Sequence, residues 1–288
     1  MGIVRVDPKF IPLDKSKTIR SGVLDALSGR DSTLTLLRSQ PILSDDLKAL
    51  LRASEEWLSN ERVIHVGESG TLYRFLKFAS WKYGLDKSFV LEGTLRDRRI
   101  CDDPRIINLP ILELLKLDNR TSQWASAAVL MGNREVAQIN EPYKLQVTRQ
   151  VLKQWEAHKT SGRPMPVQYD ETILRQAQAF ANRIDGGVIF APQQAEDYCF
   201  ARVFGLMSKN EGARRWPSLA GHESNRIESV ERALKSLRSG SAICTTDHRV
   251  MQAVAMLAVA KQIDIGLGPL DCVNKSWPQF WDFLEAYA

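Results

Sequence analysis

Apolar residues recur at helical spacing in several windows of the chain. Ile19, Val23, Leu24 and Leu27 mark one, Leu72, Phe75, Leu76 and Ala79 another, and Ile227, Val230, Leu234 and Leu237 a third. Each pattern predicts an amphipathic helix with one buried face. Residues 125–131 and 250–260 are apolar nearly all round, which predicts helices in the middle of a domain. Short runs between the helices, at 62–66, 89–92, 188–191 and 263–265, read as strands. Gly162-Arg163-Pro164-Met165-Pro166 reads as a linker, and Gly186-Gly187 as a turn before a strand. Alternation of helix and strand indicates α/β or α+β architecture.

Composition narrows the class. With 288 residues, 44% hydrophobic and 25% charged, the chain has the make-up and length of a globular protein with a substantial core, which excludes disorder, collagen and coiled coil. Lys and Arg number 39 against 34 Asp and Glu, a net charge of +5 that fits nucleic acid, a membrane surface or small anions. The basic residues are scattered, and the seven Trp suit a core or cleft better than a stacking platform, so no nucleic-acid partner is expected. The longest mostly apolar stretch, 251–260, is shorter than the ~20 residues of a bilayer span, and the N-terminal residues lack an apolar signal core. A cytoplasmic protein without a membrane partner is expected. Cys101, Cys199, Cys244 and Cys272 form no CxxC pair and read as buried, reduced thiols.

Polar clusters stand where helices should begin: Asp14-Lys15-Ser16, Glu68-Ser69-Gly70-Thr71, Thr121-Ser122-Gln123, His222-Glu223-Ser224-Asn225-Arg226 and Thr245-Thr246-Asp247-His248-Arg249. Free N–H groups and a partial positive charge make helix starts suitable for anions. Ser, Thr and Asp are also ordinary capping residues. Five clusters in one chain, each with a cation inside or within a turn, favour a shared polyanionic ligand over capping alone. Other chemistries lack their signatures. Gly67-Glu68-Ser69-Gly70-Thr71 has no P-loop lysine, Gly266-Leu267-Gly268 lacks the third glycine of a dinucleotide fingerprint, and Ser69 sits in no nucleophile elbow. His222-Glu223 begins no zinc motif, so neither a metal nor a cofactor is expected.

Taken together, these clusters resemble the 5-enolpyruvylshikimate-3-phosphate synthase (3-phosphoshikimate 1-carboxyvinyltransferase) family. Lys15-Ser16-Lys17-Thr18-Ile19-Arg20 is similar to the family's KSxSxR stretch, and Gly67 to Thr71 with Arg74 to its GNAGTxxR segment. GTLRDRRI at 93–100 resembles a shortened form of its arginine-rich segment, Thr121-Ser122-Gln123 its SSQ, and Pro142-Tyr143 its PY pair. His222-Glu223-Ser224-Asn225-Arg226 resembles KETDR, Asp247-His248-Arg249 the family's DHR, and CVNKSWP at 272–278 its C-terminal signature. The eight matches run in order along the chain.

The resemblance implies a two-domain enolpyruvyl transferase-like α/β (α+β) fold built from βαβαββ repeats, with one repeat lost or reduced. It implies a discontinuous domain of residues 1–14 and 167–288, a second domain of 15–166, and a cleft between them. The implied activity is transfer of the enolpyruvyl group of phosphoenolpyruvate to a hydroxyl of shikimate 3-phosphate or a related, possibly phosphorylated acceptor, in aromatic amino acid biosynthesis and by a monomer. The alternative is a catalytically impaired relative that binds phosphoenolpyruvate or another small anion as a sensor or partner module. Lys15, Glu223 and His248 are the implied acid-base groups. Lys15, Gly70, Arg98, Gln123, Arg226, Arg249 and Lys275 would hold the donor. Ser16, Arg20, Thr121, Ser122, Gln123, Asn140, Tyr143 and His222 would hold the acceptor.

The chain also departs from that pattern. It is shorter than the family by roughly a third, with the largest loss between Pro142 and Pro192 and smaller trims between Lys15 and Gly67 and between Arg226 and Asp247. Gln193 stands where a catalytic aspartate is expected, and the Glu196 and Asp197 that follow read either as an ordinary helix turn or as displaced substitutes. Glu68, Asn140 and His222 replace an asparagine, a phosphate-binding serine and a lysine.

Overall fold

Asp14, Asp170 and Asp247 each end an extended segment and turn a carboxylate onto free backbone N–H groups, starting three of the helices on which the structure rests. Asp14 accepts from Lys17 N at 2.9 Å, Asp170 from Ile173 N at 2.9 Å, and Asp247 from Arg249 N at 3.0 Å. Such a cap satisfies donors that the helix itself leaves unpaired. The computed structural model describes residues 3–132, 142–161, 166–182, 190–220 and 225–288. The chain is helix-rich and divides into two compact units, Leu13–Gln168 and Met1–Pro12 with Tyr169–Ala288.

The first unit carries α1 (Lys15–Leu27), α2 (Ser32–Arg38), α3 (Asp45–Leu58), β1 (Val63–Gly67), α4 (Gly70–Lys82), β2 (Ser88–Leu91), the short α5 (Ile111–Leu114) and α6 (Leu117–Arg120), α7 (Gln123–Leu130) and α8 (Pro142–Ser161). β1 and β2 pair in parallel, from Val63 opposite Ser88 to Gly67 opposite Leu91, and α4 makes the crossover. The apolar faces expected from the sequence meet in one core, where Ile19, Val23, Leu72, Phe75 and Trp124 are almost fully buried. Gly22 lets α1 close on α3, because a Cβ there would stand 2.9 Å from the Leu50 methyls.

The second unit carries α9 (Glu171–Ala181), α10 (Tyr198–Val203), α11 (Lys209–Arg215), α12 (Arg226–Ser239), β3 (Ile243–Cys244), α13 (His248–Ala260), β4 (Leu267–Gly268) and α14 (Phe280–Tyr287). Its sheet repeats the plan of the first, since β3 and β4 are parallel and α13 joins them. α13 is buried on nearly every side, which is why its sequence is apolar throughout. Trp277, Phe280 and Phe283 complete the core, and Trp277 Nε1 donates to Phe10 O at 2.7 Å, tying the N-terminal segment to this unit.

Several elements differ from the sequence expectation. No strand forms over 263–265, because the Ile263 N–H closes α13 on Ala258 O at 2.8 Å after a left-handed Gln262, φ 53°. Pairing with β3 begins only at Leu267. Of the strand expected at 188–191, residues 188 and 189 lie outside the described residues, and Phe190 and Ala191 belong to no strand. Gly186-Gly187 and residues 162–165 of the linker also lie outside them. Among the described residues each unit holds one βαβ with a two-stranded sheet rather than a full βαβαββ unit. No helix among them is long and apolar enough to cross a membrane.

Asp25 of α1 shows how the first unit is pinned. Its buried carboxylate accepts from Thr33 N at 2.8 Å, Thr33 Oγ1 at 2.7 Å and Trp155 Nε1 at 2.9 Å, joining α1, α2 and α8. Asp25→Ala would strand three donors, and a buried unsatisfied group costs roughly 1 to 3 kcal/mol. Urea denaturation of Asp25→Ala is expected to show a loss of about 3 kcal/mol or more, whereas an unchanged midpoint would show that the network carries no stability.

Candidate anion sites at the helix starts

Lys15 is the first residue of α1, and its ammonium lies 2.8 Å from the Asp46 carboxylate, which belongs to the first turn of α3. The start of one helix is thereby tied to the start of another by a charge pair. Asp46 is nearly buried and Lys15 about a third exposed, so the pair has a solvent-facing cation and a covered anion.

Ser16 and Arg20 engage one another. Arg20 Nη1 donates to Ser16 Oγ at 2.7 Å and Ser16 O at 2.8 Å, Nε to Thr148 Oγ1 at 2.9 Å, and Nη2 to Ser126 Oγ at 3.5 Å. The guanidinium also lies over the Phe75 ring, 5.3 Å from its centroid. Burial pulls the Arg20 pKa down to about 10, against the opposing pull of Asp14, which leaves a cation at neutral pH. Hydroxyls from α7 and α8 thus solvate a charge on α1.

The start of α4 gathers two guanidinium groups. Arg74 folds back so that Nη1 donates to Gly70 O at 3.1 Å and Gln123 Oε1 at 2.7 Å, while Nε meets Asp118 Oδ2 at 2.7 Å. Gln123 Nε2 passes the chain of bonds to Thr71 Oγ1 at 2.7 Å. Asp118, left-handed at φ 46°, also accepts from Trp124 Nε1 and Cys101 N. A Cβ on Gly70 would stand 3.0 Å from Arg74 Nη1 and 3.4 Å from Arg98 Nη1, so both cations flank this glycine. Glu68 turns to Thr94 N, at 2.9 Å, and fills the space over Gly93, where φ is 47° and a side chain would collide with the carboxylate. Arg98 Nη2 donates to Thr94 Oγ1 at 3.0 Å. Glu68 therefore serves the turn that carries Arg98. Thr121 and Ser122 are half-buried just before α7, and Thr121 Oγ1 receives the Gln123 N–H at 3.4 Å.

In the second unit Arg226, first residue of α12, donates from Nε to Asp247 Oδ2 at 3.1 Å, and Asp247 in turn caps α13. His248 and Arg249 open α13 and are both about 5% exposed. Arg249 Nη2 lies 3.9 Å from Asp170 Oδ2, and Nη1 is buried without a hydrogen-bond partner among the described residues. Lys275 ends the turn Leu270–Lys275, and the next residue, Ser276, accepts from Gln252 Nε2 of α13 at 3.1 Å. Two thiols feel this charge cluster. Burial pushes Cys199 up to about 12, with Asp247 acting in the same sense and Arg226 and Arg249 opposing. Cys272 is pushed up to about 11 by burial, then by Asp271 and Asp247.

Asp197 has a structural role. It is fully buried, with Gln193 N and Gln194 N donating to it at 2.9 and 3.2 Å, Arg175 Nη2 at 3.0 Å and Gln176 Nε2 at 3.1 Å. The carboxylate thereby ties α9 to the turn before α10. Asn140, His222, Glu223 and the side chain of Tyr143 lie outside the described residues. Among the described residues no group of three His, Cys, Asp or Glu could hold a metal ion.

The sequence reading overlooked the acidic and hydroxyl partners Asp46, Asp118, Thr148 and Asp170. Paired acids suit the positive end of an amphipathic helix, which accounts for Asp46 in the first turn of α3, but nothing local to Asp118, Thr148 or Asp170 names a partner on another helix. No protein-family model and no solved structure matches the chain.

Thiol reactivity reads out the electrostatics of this region. The thiolate is the nucleophile, so a buried thiol held at about 12 is inert at neutral pH, whereas Cys244 is exposed. Iodoacetamide at pH 8, followed by peptide mass mapping, is expected to modify Cys244 in the native protein and Cys199 only after unfolding. Labelling of native Cys199 at the rate of Cys244 would contradict the buried placement.

Proposed function

We propose that the chain binds phosphoenolpyruvate at its cationic helix starts and transfers the enolpyruvyl group to a hydroxyl of shikimate 3-phosphate or a related acceptor. The observation that carries this reading is Arg249 Nη1, a guanidinium donor out of water with no partner among the described residues, at the start of a 13-residue helix. Native proteins rarely leave a buried donor unpaired, and an anion oxygen satisfies it. The order of the motifs adds to this. In each βαβ unit a short polar stretch leads from the first strand into the crossover helix, and an arginine, Arg74 or Arg249, follows within that helix.

In the reaction a proton adds to the methylene carbon of phosphoenolpyruvate and the acceptor oxygen bonds to the adjacent carbon, giving a tetrahedral intermediate. Loss of a methyl proton and of phosphate then regenerates the double bond as an enol ether. Each proton transfer needs a positioned acid or base. Lys15, positioned by its ion pair with Asp46, suits the acid, Glu223 the base, and His248 stands in reserve beside Arg249. Arg98, Arg226, Arg249 and Lys275 would stabilise the phosphate and carboxylate charges.

A second reading, anion binding without turnover, is favoured by the Ser16–Arg20 network and by Gln193. Of the residues expected to hold the acceptor, Arg20 is bonded to Thr148, Ser126 and Ser16, and no carboxylate stands at position 193. Following phosphate release from phosphoenolpyruvate with shikimate 3-phosphate separates the two. Transfer is expected, with a loss of at least about 100-fold in Lys15→Ala and in Glu223→Ala. Absence of turnover together with calorimetric binding of phosphoenolpyruvate would replace transfer by the second reading, and full turnover in Lys15→Ala would refute the assignment of the acid.

A further inference from the structure

We infer that Asp170 is the resident counter-ion of the anion site at the start of α13: a carboxylate that balances the charge of Arg249 in the free protein and sets how tightly an anion is held. The inference rests on the anion site proposed above and adds a residue that the motifs do not contain. Asp170 is locked from two sides. Its Oδ1 accepts from Ile173 N at 2.9 Å as the cap of α9, and its own N–H donates to Pro12 O at 2.9 Å. Only Oδ2 remains, and it faces Arg249 Nη2 at 3.9 Å.

That distance is within the reach of an ion pair and beyond that of a hydrogen bond. The two side chains are 15% and 5% exposed, so the attraction is little screened by solvent. A guanidinium buried without any counter-charge is strongly destabilising, and the other acid near this cluster, Asp247, is engaged by Arg226 and by the α13 cap. Asp170 therefore supplies charge without consuming a donor, and Arg249 Nη1 stays available to an acceptor oxygen. The same carboxylate repels a bound anion. It stabilises the free site and weakens the occupied one.

Asp170→Asn separates charge from capping, because Asn caps a helix as well as Asp does. Inorganic phosphate is titrated by calorimetry into the intact chain as wild type, Asp170→Asn, Asp170→Ala and Arg249→Ala, and each melting temperature is measured with and without phosphate. Asp170→Asn is expected to bind phosphate roughly tenfold more tightly, to melt lower without phosphate, and to gain more from phosphate than the wild type gains. Asp170→Ala is expected to show the same gain in affinity with a further drop in melting temperature, since it also loses the cap. Equal or weaker phosphate binding in Asp170→Asn, with Arg249→Ala impaired, overturns the counter-ion role while leaving the anion site standing. Phosphate binding in Arg249→Ala equal to that of wild type removes the site itself and the inference with it.

Discussion

A guanidinium removed from water must find an acceptor or a counter-charge, and this requirement shapes both units. Among the described residues three buried arginines stand in the first halves of three long helices, and each meets the requirement differently. Arg20 is solvated by hydroxyls and a carbonyl drawn from α1, α7 and α8. Arg74 is paired with Asp118 and fixed to Gly70 and Gln123. Arg249 has a charge at 3.9 Å and one donor without a partner among the described residues. The first two solutions fasten helices together. The third leaves bonding capacity unused, so a ligand oxygen at the start of α13 would gain a hydrogen bond from a buried donor.

Acidic helix caps carry the same logic through the rest of the molecule. Asp247 caps α13 and pairs with Arg226, so one carboxylate fixes the start of one helix and the first cation of another. Asp46, in the first turn of α3, does the corresponding work for Lys15. An Asp at such a position is stabilised by the positive end of its own helix, which makes it a steady partner for a neighbouring cation. The cationic clusters are consequently not loose surface charge. Asp46 holds Lys15 and Asp247 holds Arg226, and the Asp247 carboxylate is itself fixed by backbone N–H groups of α13.

Helices whose apolar residues repeat strongly were legible in the sequence: the windows at Ile19, Leu72 and Ile227 and the apolar runs at 125–131 and 250–260 fall on α1, α4, α12, α7 and α13. The strand expected at 263–265 was misplaced because Ile263 is spent on closing α13, a tertiary use that β-propensity does not register. Helix starts were visible as Ser, Thr and Asp clusters. Their partners were not, since Arg20 meets Thr148 and Arg74 meets Asp118 across long stretches of chain. Glu68 illustrates the limit best. Its charge alone argues against an anion nearby, yet its carboxylate is directed at the Thr94 N–H and packed over Gly93.

The account stands on Arg249 as an anion ligand. A crystal structure of the chain with phosphoenolpyruvate tests this most directly. It is expected to show a phosphate or carboxylate oxygen within hydrogen-bond distance of Arg249 Nη1, with Asp170 still capping α9. A structure in which Nη1 is satisfied by the protein's own groups, and the ligand lies away from α13, would contradict it.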